Sequence, residues 1–132
     1  MKLLLPLFAL LVSVDAAPKL LVDKALLSKY PAAGQENVYE YQIVNKGDSA
    51  ALNVTLDDRK SFPTDRFDIR RGSTIVKFSV IPAHSSVQHH IVVVPLGPQE
   101  LIHKEVVVDF IDEKTGVMIR STGYAFTNNG HG

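Results

Sequence analysis

The sequence predicts an all-β fold, an immunoglobulin-like antiparallel β-sandwich of seven to eight strands that follows a cleaved signal peptide. Apolar and polar residues alternate along short segments, which is typical of strands with one buried face. Glycine, proline and asparagine turn signals separate these segments about every eight to twelve residues. The chain has 132 residues, 45% of them hydrophobic, which is enough for one domain core and not for two.

Residues 1–16 have the pattern of a secretory signal peptide. Met1 and Lys2 precede the apolar run Leu3–Val14, which is shorter than the roughly twenty residues of a membrane-spanning helix. Small residues follow, so we expect cleavage between Ala16 and Ala17, with an uncleaved anchor as the alternative. The predicted organisation is therefore a signal peptide at 1–16, a lumenal sandwich at 17–123 and a flexible tail at 124–132.

The first two strands are predicted at Lys19–Ser28 and Asn37–Val44. Leucines at helical spacing in the first segment would also allow a helix, but Pro18 and Pro31 bracket it and favour a strand. In the second segment, the alternation predicts that Tyr39, Tyr41 and Ile43 face the core. Gly47 in the turn that follows is expected to adopt a positive φ.

The third strand, Ala50–Asp57, is predicted to bury Leu52, Val54 and Leu56 and to expose Asn53 and Thr55. The remaining predicted strands are Phe67–Arg71, Thr74–Ile81, Val87–Val94, Leu101–Ile111 and Val117–Ser121. Phe67–Arg71 is short and charged, as edge strands are. The expected core side chains of the two strands after it are Val76, Phe78, Val80, Ile91 and Val93.

Composition excludes several classes of function. Lys and Arg number 14, as do Asp and Glu, so no charge excess favours nucleic acid or an anionic membrane surface. Without cysteine there is neither a disulfide nor a thiolate–zinc site, and without tryptophan the domain lacks the antibody-type core. No marked nucleophile accompanies a base. The sequence therefore predicts no enzyme, no catalytic residues and no cofactor.

Metal sites are also weakly indicated. His89 and His90 are adjacent on a predicted strand, so they point to opposite faces and cannot share one ion; His89 falls on the face that is partly buried. The acids Asp57, Asp58, Asp65 and Asp68 could be considered for calcium, but basic residues are interleaved among them. A solvated charged loop is the favoured interpretation, and no metal ligand is predicted.

Asn53-Val54-Thr55 is an N-glycosylation sequon. The signal peptide would bring it into the compartment where the transferase acts, and alternation places Asn53 on the polar face. The alternative is an unused sequon on a strand too flat for the transferase. We expect Asn53 to be glycosylated.

Several segments resemble the translocon-associated protein subunit beta family. They are KLLVDKALLSKY (residues 19–30), NKGDSAALNVTLDD (residues 45–58) with SFP and Phe67 after it, IPA (residues 81–83) and VVVPL (residues 92–96). The resemblance covers roughly residues 1–122. After Gly123 it ends, and the membrane span and basic cytosolic tail of the family do not follow, which predicts a truncated or soluble divergent form.

The resemblance implies an accessory subunit of an endoplasmic-reticulum complex beside the protein-conducting channel. It implies a role in co-translational translocation, a possible calcium-linked retention of resident proteins, and pairing of the lumenal domain with that of the alpha subunit. A secreted carbohydrate- or peptide-binding sandwich is the alternative. An open sheet edge is a plausible contact surface, with Phe67–Arg71 and the first strand as candidates.

Overall fold

The computed structural model describes residues 17–28, 33–98, 104–124 and 126–128. Nine strands lie within these residues, together with one 3₁₀ turn at Arg59–Ser61. The strands are β1 Leu20–Leu26, β2 Asn37–Asn45, β3 Ala51–Asp57, β4 Phe67–Arg71, β5 Ile75–Ile81, β6 Ser86–Pro95, β7 Glu105–Asp112, β8 Met118–Tyr124 and β9 Phe126–Asn128. The predicted all-β sandwich is confirmed.

Two sheets make up the sandwich. The first sheet has the order β4-β6-β2-β1-β9 and the second sheet has the order β5-β3-β7-β8. Neighbours are antiparallel except β9, which runs parallel to β1. β1-β2-β6-β4 and β3-β7-β8 occupy the places of the A-B-E-D and C-F-G strands of an immunoglobulin domain. β5 is an additional strand beside β3, and the chain forms β4 in the first sheet before it forms β5 in the second.

The core lies between the inner faces of the two sheets. Tyr39, Tyr41 and Ile43 are buried, as the alternation of β2 predicts. The other buried hydrophobic residues of the central cluster are Leu26, Ala51, Val54, Leu56, Phe62, Ile81, Ile91, Val93, Val106, Val108 and Phe110. Since the domain has no disulfide, this apolar burial and the polar contacts inside it must hold the two sheets together.

A β-bulge in β3 overturns part of the predicted face assignment. Leu52 pairs with Ile111 and Thr55 pairs with Asp109, so two residues of β3, Asn53 and Val54, lie opposite one residue of β7. Asn53 adopts φ 49°, the left-handed conformation that asparagine tolerates better than most residues. The bulge reverses the alternation, because Ala51 is fully buried while Leu52, predicted to be inward, is only half-buried.

β5 also departs from the prediction. It is an edge strand, so Val76 and Phe78, which were expected in the core, are only partly buried against it. Val80 is 44% exposed, whereas its neighbour Ile81 is fully buried. Val80 was predicted to be inward and is not, since it lies opposite the outward-facing Leu52.

Of the two strands predicted to lie at sheet edges, only one does so. β4 is an edge strand, as predicted, but β1 is not, because β2 lies on one side of it and β9 on the other. β9 lies in the segment 124–132 that was predicted to be a tail, and Asp23, Lys24 and Ala25 of β1 pair with its three residues. The predicted cleavage residue Ala16 lies outside the described residues.

The same substitution on either side of the bulge provides a matched test of the face assignment. Leu56→Ala removes a fully buried side chain and is expected to lower the free energy of unfolding by about 2–5 kcal/mol. Leu52→Ala removes a half-buried side chain of the outer face and is expected to lower it by about 1 kcal/mol or less. Urea unfolding of the two variants measures both values; similar losses would contradict the bulge.

Candidate functional site

The most polar place in the interior is built around Asp58, which directly follows β3 and is fully buried. Lys24 of β1 reaches it across the sandwich, with Nζ 2.8 Å from Oδ2 of Asp58. The Tyr41 hydroxyl donates a hydrogen bond to the same carboxylate oxygen, and the Ser61 hydroxyl donates to the other. The backbone N–H of Asp58 donates to the carbonyl of Thr74 at 2.8 Å. We call this group of four side chains, from Lys24, Tyr41, Asp58 and Ser61, the Asp58 cluster.

Aromatic rings surround the ammonium group of the cluster. Nζ of Lys24 lies 4.5 Å from the ring centroid of Phe62, 5.4 Å from that of Tyr39 and 5.8 Å from that of Tyr41. Phe62 is held in place by edge-on contacts with Tyr39 and with Phe67, at centroid distances of 5.0 and 5.1 Å. The faces of these rings attract a cation electrostatically, so they replace part of the hydration that Lys24 loses on burial.

Burial and the charge of Asp58 raise the pKa of Tyr41 in the cluster and of Tyr39 beside it. Burial, and then the negative charge of Asp58 and the hydrogen bond to it, raise the pKa of Tyr41 far above its usual range. Burial, and then Asp58, also raise the pKa of Tyr39. The Tyr41 hydroxyl therefore keeps its proton beyond the pH at which an exposed tyrosine loses it, as its hydrogen bond to Asp58 requires.

Asp58 was predicted to lie in a solvated loop, and that prediction is wrong. The other acids of the loop that have described partners are on the surface: Asp57 accepts two hydrogen bonds from the Arg59 guanidinium, and Asp68 lies 2.7 Å from Arg70. The bond to Arg59 lowers the pKa of Asp57, whose carboxylate is thereby committed to a cation. Within the described residues, no group of three or more His, Cys, Asp or Glu side chains could hold a metal ion.

The cluster is closed to a substrate. Side-chain exposure is 10% for Lys24 and zero for Asp58, and each polar atom of the carboxylate already has a partner. A buried ion pair contributes little net stability, because desolvation offsets the attraction, but removal of one partner leaves an unpaired charge inside the protein. The arrangement can therefore fix the position of β1 against β2 and the loop after β3.

The histidines lie where alternation predicts. His89 is partly buried and its Nε2 lies 2.8 Å from the carbonyl oxygen of Ser73, while its ring is 6.1 Å from that of Tyr41. His90 is on the opposite face, 3.3 Å from Glu40. The two rings have different partners on opposite faces of the sheet, as the alternation predicts.

A second buried polar group, Asn45, was not singled out by the sequence prediction. Its side-chain amide donates to the carbonyls of Ser49 and Ile81, at 2.9 and 3.1 Å, and its Oδ1 accepts from the N–H groups of Lys19 and Gly47, at 3.1 and 2.9 Å. Both the NH₂ group and the oxygen of the side-chain amide are therefore engaged in hydrogen bonds. These bonds link the chain before β1 to the turn after β2 and to the end of β5. The Asn-x-Gly spacing of Asn45 and Gly47 is the sequence signal from which this buried side chain could have been predicted.

Gly47 is required for a reason other than the predicted one. It has no positive φ; instead the chain before β1 passes directly over it. A Cβ at this position would lie 2.0 Å from the Ala17 carbonyl oxygen and 2.6 Å from Cα of Pro18, both backbone atoms that cannot rotate away. The half-buried Ala17, predicted to begin the mature chain, is thus held against the β2–β3 turn.

The sequon asparagine is accessible. Asn53 is exposed, although β3 is an inner strand of its sheet with β5 and β7 as hydrogen-bonded neighbours. The inner face is closed by the core, so an exposed side chain on this strand must stand on the outer face of the second sheet. The bulge removes the objection that the strand is too flat, because Asn53 leaves the regular strand conformation.

Fold and interior together define a β-sandwich domain in which the buried polar groups support the structure. Residues 1–128 match the family of Translocon-associated protein beta (TRAPB), and the chain belongs to that family. The translocon-associated protein subunit beta of Caenorhabditis elegans is 46% identical over 76 residues, which are 58% of this chain and 40% of that protein. The chain therefore matches less than half of the length of this relative. Among the described residues, no helix has the length and apolar character needed to cross a membrane.

Solved structures with a similar chain path are distant in sequence. A GH20 exo β-N-acetylglucosaminidase from Vibrio harveyi has a TM-score of 0.48 and 16% identity, over 83% of this chain and 18% of that one. A CARDB domain from Pyrococcus furiosus, in complex with di-metal ions, has a TM-score of 0.45 and 12% identity, over 85% of this chain and 90% of that one.

The Asp58 cluster predicts a pattern of coupled stability changes. Lys24→Met is expected to lower the free energy of unfolding by about 3–5 kcal/mol, because Asp58 stays buried and unpaired. Asp58→Asn should be similarly damaging, whereas the double variant should lose less than the sum of the two, since no lone charge remains. Tyr41→Phe should lose about 1–3 kcal/mol. Additive losses in a double-mutant cycle, measured by chemical denaturation, would show that the pair is not coupled.

The close approach over Gly47 predicts a strong effect of a single methyl group. Gly47→Ala is expected to lower the free energy of unfolding by about 1–3 kcal/mol or to detach residues 17–19 from the turn. Gly123→Ala is the matched control, because a Cβ there has open space. Hydrogen exchange at the Lys19 and Gly47 amides, together with thermal unfolding, measures both effects. Equal behaviour of the two variants would contradict the packing.

Proposed function

We propose that this chain is a non-catalytic accessory subunit at the translocon of the endoplasmic reticulum and acts through protein contacts of its lumenal sandwich. The observation that carries the proposal is the match to the translocon-associated protein beta family over residues 1–128. The closed Asp58 cluster supports a contact role, because its charged groups are committed to one another rather than to a substrate. Co-translational assistance of translocation is the activity we assign to this contact role.

Calcium-linked retention of resident proteins has less support. Three of the four acids first considered for calcium, Asp57, Asp58 and Asp68, are each paired with a lysine or an arginine. A carboxylate engaged in this way must lose its partner before it can bind an ion. Our proposal therefore rests on protein contacts alone.

The partner proposed from the family resemblance is the lumenal domain of the alpha subunit, and β8 is the edge that suits it best. β4, the outer strand of the first sheet, is five residues long and carries Asp68, Arg70 and Arg71, charges that typically protect an edge from pairing. β8 is seven residues long and has one charged side chain, Arg120, which is held by Asp109 at 2.8 and 3.0 Å. A partner strand could add to β8 through main-chain hydrogen bonds.

A cleft beside β8 would give such a strand specificity. It has a volume of about 110 Å³ and is lined by residues 20–22 at the start of β1, by Val106 and Val108 of β7 and by residues 121–123 of β8. Most of its lining is apolar, so side chains at alternate positions of an added strand could enter it.

The test is affinity capture of the full chain from detergent-solubilised microsomes, with measurement of the co-captured alpha subunit and channel. Gly123→Lys places a charge on the β8 edge in open space and is expected to reduce capture of the alpha subunit about tenfold. Gly97→Lys is the matched control, because this glycine also has open space and lies after β6. The captured chain is expected to begin at Ala17.

Two outcomes would contradict the proposal. If the wild-type chain captures neither the alpha subunit nor the channel, the alternative of a secreted carbohydrate- or peptide-binding sandwich becomes the better explanation. If Gly123→Lys and Gly97→Lys capture the alpha subunit equally well, the contact does not use the β8 edge.

A further inference from the structure

An apolar row crosses the whole outer face of the second sheet. Val80 of β5 lies opposite Leu52 of β3, Leu52 lies opposite Ile111 of β7, and Ile111 lies opposite Met118 of β8. Directly opposed residues share a face of the sheet. We call these four residues the outer stripe.

The outer stripe is turned to solvent. Val80 is 44% and Met118 is 69% exposed, and Leu52 and Ile111 are half-buried. The adjacent row, which consists of Ala51, Ile81 and Asp112, is buried, so the two rows have opposite orientations. Contact with another group would remove this exposed apolar surface from water and is therefore favourable.

The sequon asparagine stands at the border of this stripe. Asn53 follows Leu52 directly, on the same exposed face, and the next row along the sheet is polar, with Lys77, Thr55, Asp109 and Arg120. The bulge that turns Leu52 outward is the same one that places Asn53 in its left-handed conformation. One local irregularity therefore creates both the apolar surface and the attachment point beside it.

We propose that Asn53 carries an N-linked glycan whose first N-acetylglucosamine packs on Leu52 and Val80, the part of the outer stripe next to Asn53. Nδ2 of Asn53 forms a bond to C1 of this sugar, the amide loses one proton, and the lipid-linked oligosaccharide donor loses its pyrophosphate-linked carrier as the leaving group. The C–H face and the acetyl methyl group of the sugar are apolar, and opposed side chains lie only about 5 Å apart, within reach of one sugar ring.

The glycan suits this position better than a flat protein partner. A carbohydrate attached to Asn53 would stand beside Leu52 and Val80, and its bulk would hinder a flat protein partner from lying on the same surface. The proposal concerns the outer face of the second sheet and is independent of any partner at the β8 edge.

The first experiment compares two ways of trimming the glycan. The full chain is expressed in cells that make only high-mannose glycans, and the purified glycoprotein is treated with endoglycosidase H, which leaves one N-acetylglucosamine, or with peptide N-glycosidase F, which leaves none. We expect low binding of a hydrophobic dye and a monomer by light scattering after the first treatment. After the second, we expect several-fold higher dye binding and self-association.

Three variants distinguish a glycan that covers the outer stripe locally from one that only raises the solubility of the protein. Asn53→Gln should lose the gel-mobility shift and bind the dye. Asn53→Gln/Arg71→Asn creates the sequon Asn-Gly-Ser on the exposed end of β4, in the other sheet, and should carry a glycan yet still bind the dye. Asn53→Gln/Val80→Thr/Met118→Gln removes the most exposed apolar groups of the stripe and should return dye binding to the level of the wild type.

Three results would overturn the proposal: a wild-type chain without a glycan, equal dye binding after the two glycosidases, or full suppression of dye binding by the glycan moved to position 71. None of them depends on capture of the alpha subunit, so the failure of this inference is distinguishable from the failure of the proposed function.

Discussion

The buried carboxylate of Asp58 is the constraint on which much of the sandwich depends. It directly follows a strand of the second sheet, and its partners Lys24 and Tyr41 lie on two strands of the first. The chain has no cysteine, so no disulfide joins the two sheets. Because an unpaired charge in this place is so unfavourable, the pair selects one arrangement of the strands even if its net contribution to stability is small. The surrounding rings of Tyr39 and Phe62 attract the ammonium group of Lys24 and so reduce the free-energy cost of burying it.

Asn45 plays a similar part at the last residue of β2. Its side chain is fully buried, and its four hydrogen bonds reach the chain before β1, the turn after β2 and the end of β5. Gly47 allows the chain to pass over the turn, so the segment that would follow signal cleavage is part of the folded domain. Both devices use polar side chains inside the protein, and in both each polar group has a partner.

The bulge at Asn53 shows how one extra residue changes a surface. It reverses the alternation of β3, sends Leu52 outward and gives the second sheet an outer apolar row. The same sheet has at its margin the β8 edge, which carries little charge. The outer face and the edge are therefore distinct surfaces, and a glycan on the first would leave the second free for a protein.

Local pattern was sufficient for eight of the nine described strands, since alternation and turn residues act over a few positions and the limits of these strands agree with those predicted to within a few residues; β9 was missed, because its pairing with β1 is a contact between distant parts of the chain. The family resemblance also lay in the sequence, in segments that include Asn45 and Asp58. The pairing of Lys24 with Asp58 could not be read in this way, because residues far apart in the chain meet only when the sheets pack, and an isolated charged residue is ordinarily predicted to be solvated. The segment 52–56, Leu-Asn-Val-Thr-Leu, likewise has the pattern of a regular alternating strand. Only its pairing with β7 shows that the strand contains one extra residue and that the bulge lies between Leu52 and Thr55. Sequence by itself therefore determined most of the strands and the family, whereas the tertiary structure decided which charges are buried and which apolar side chains face solvent, because both depend on contacts between distant strands.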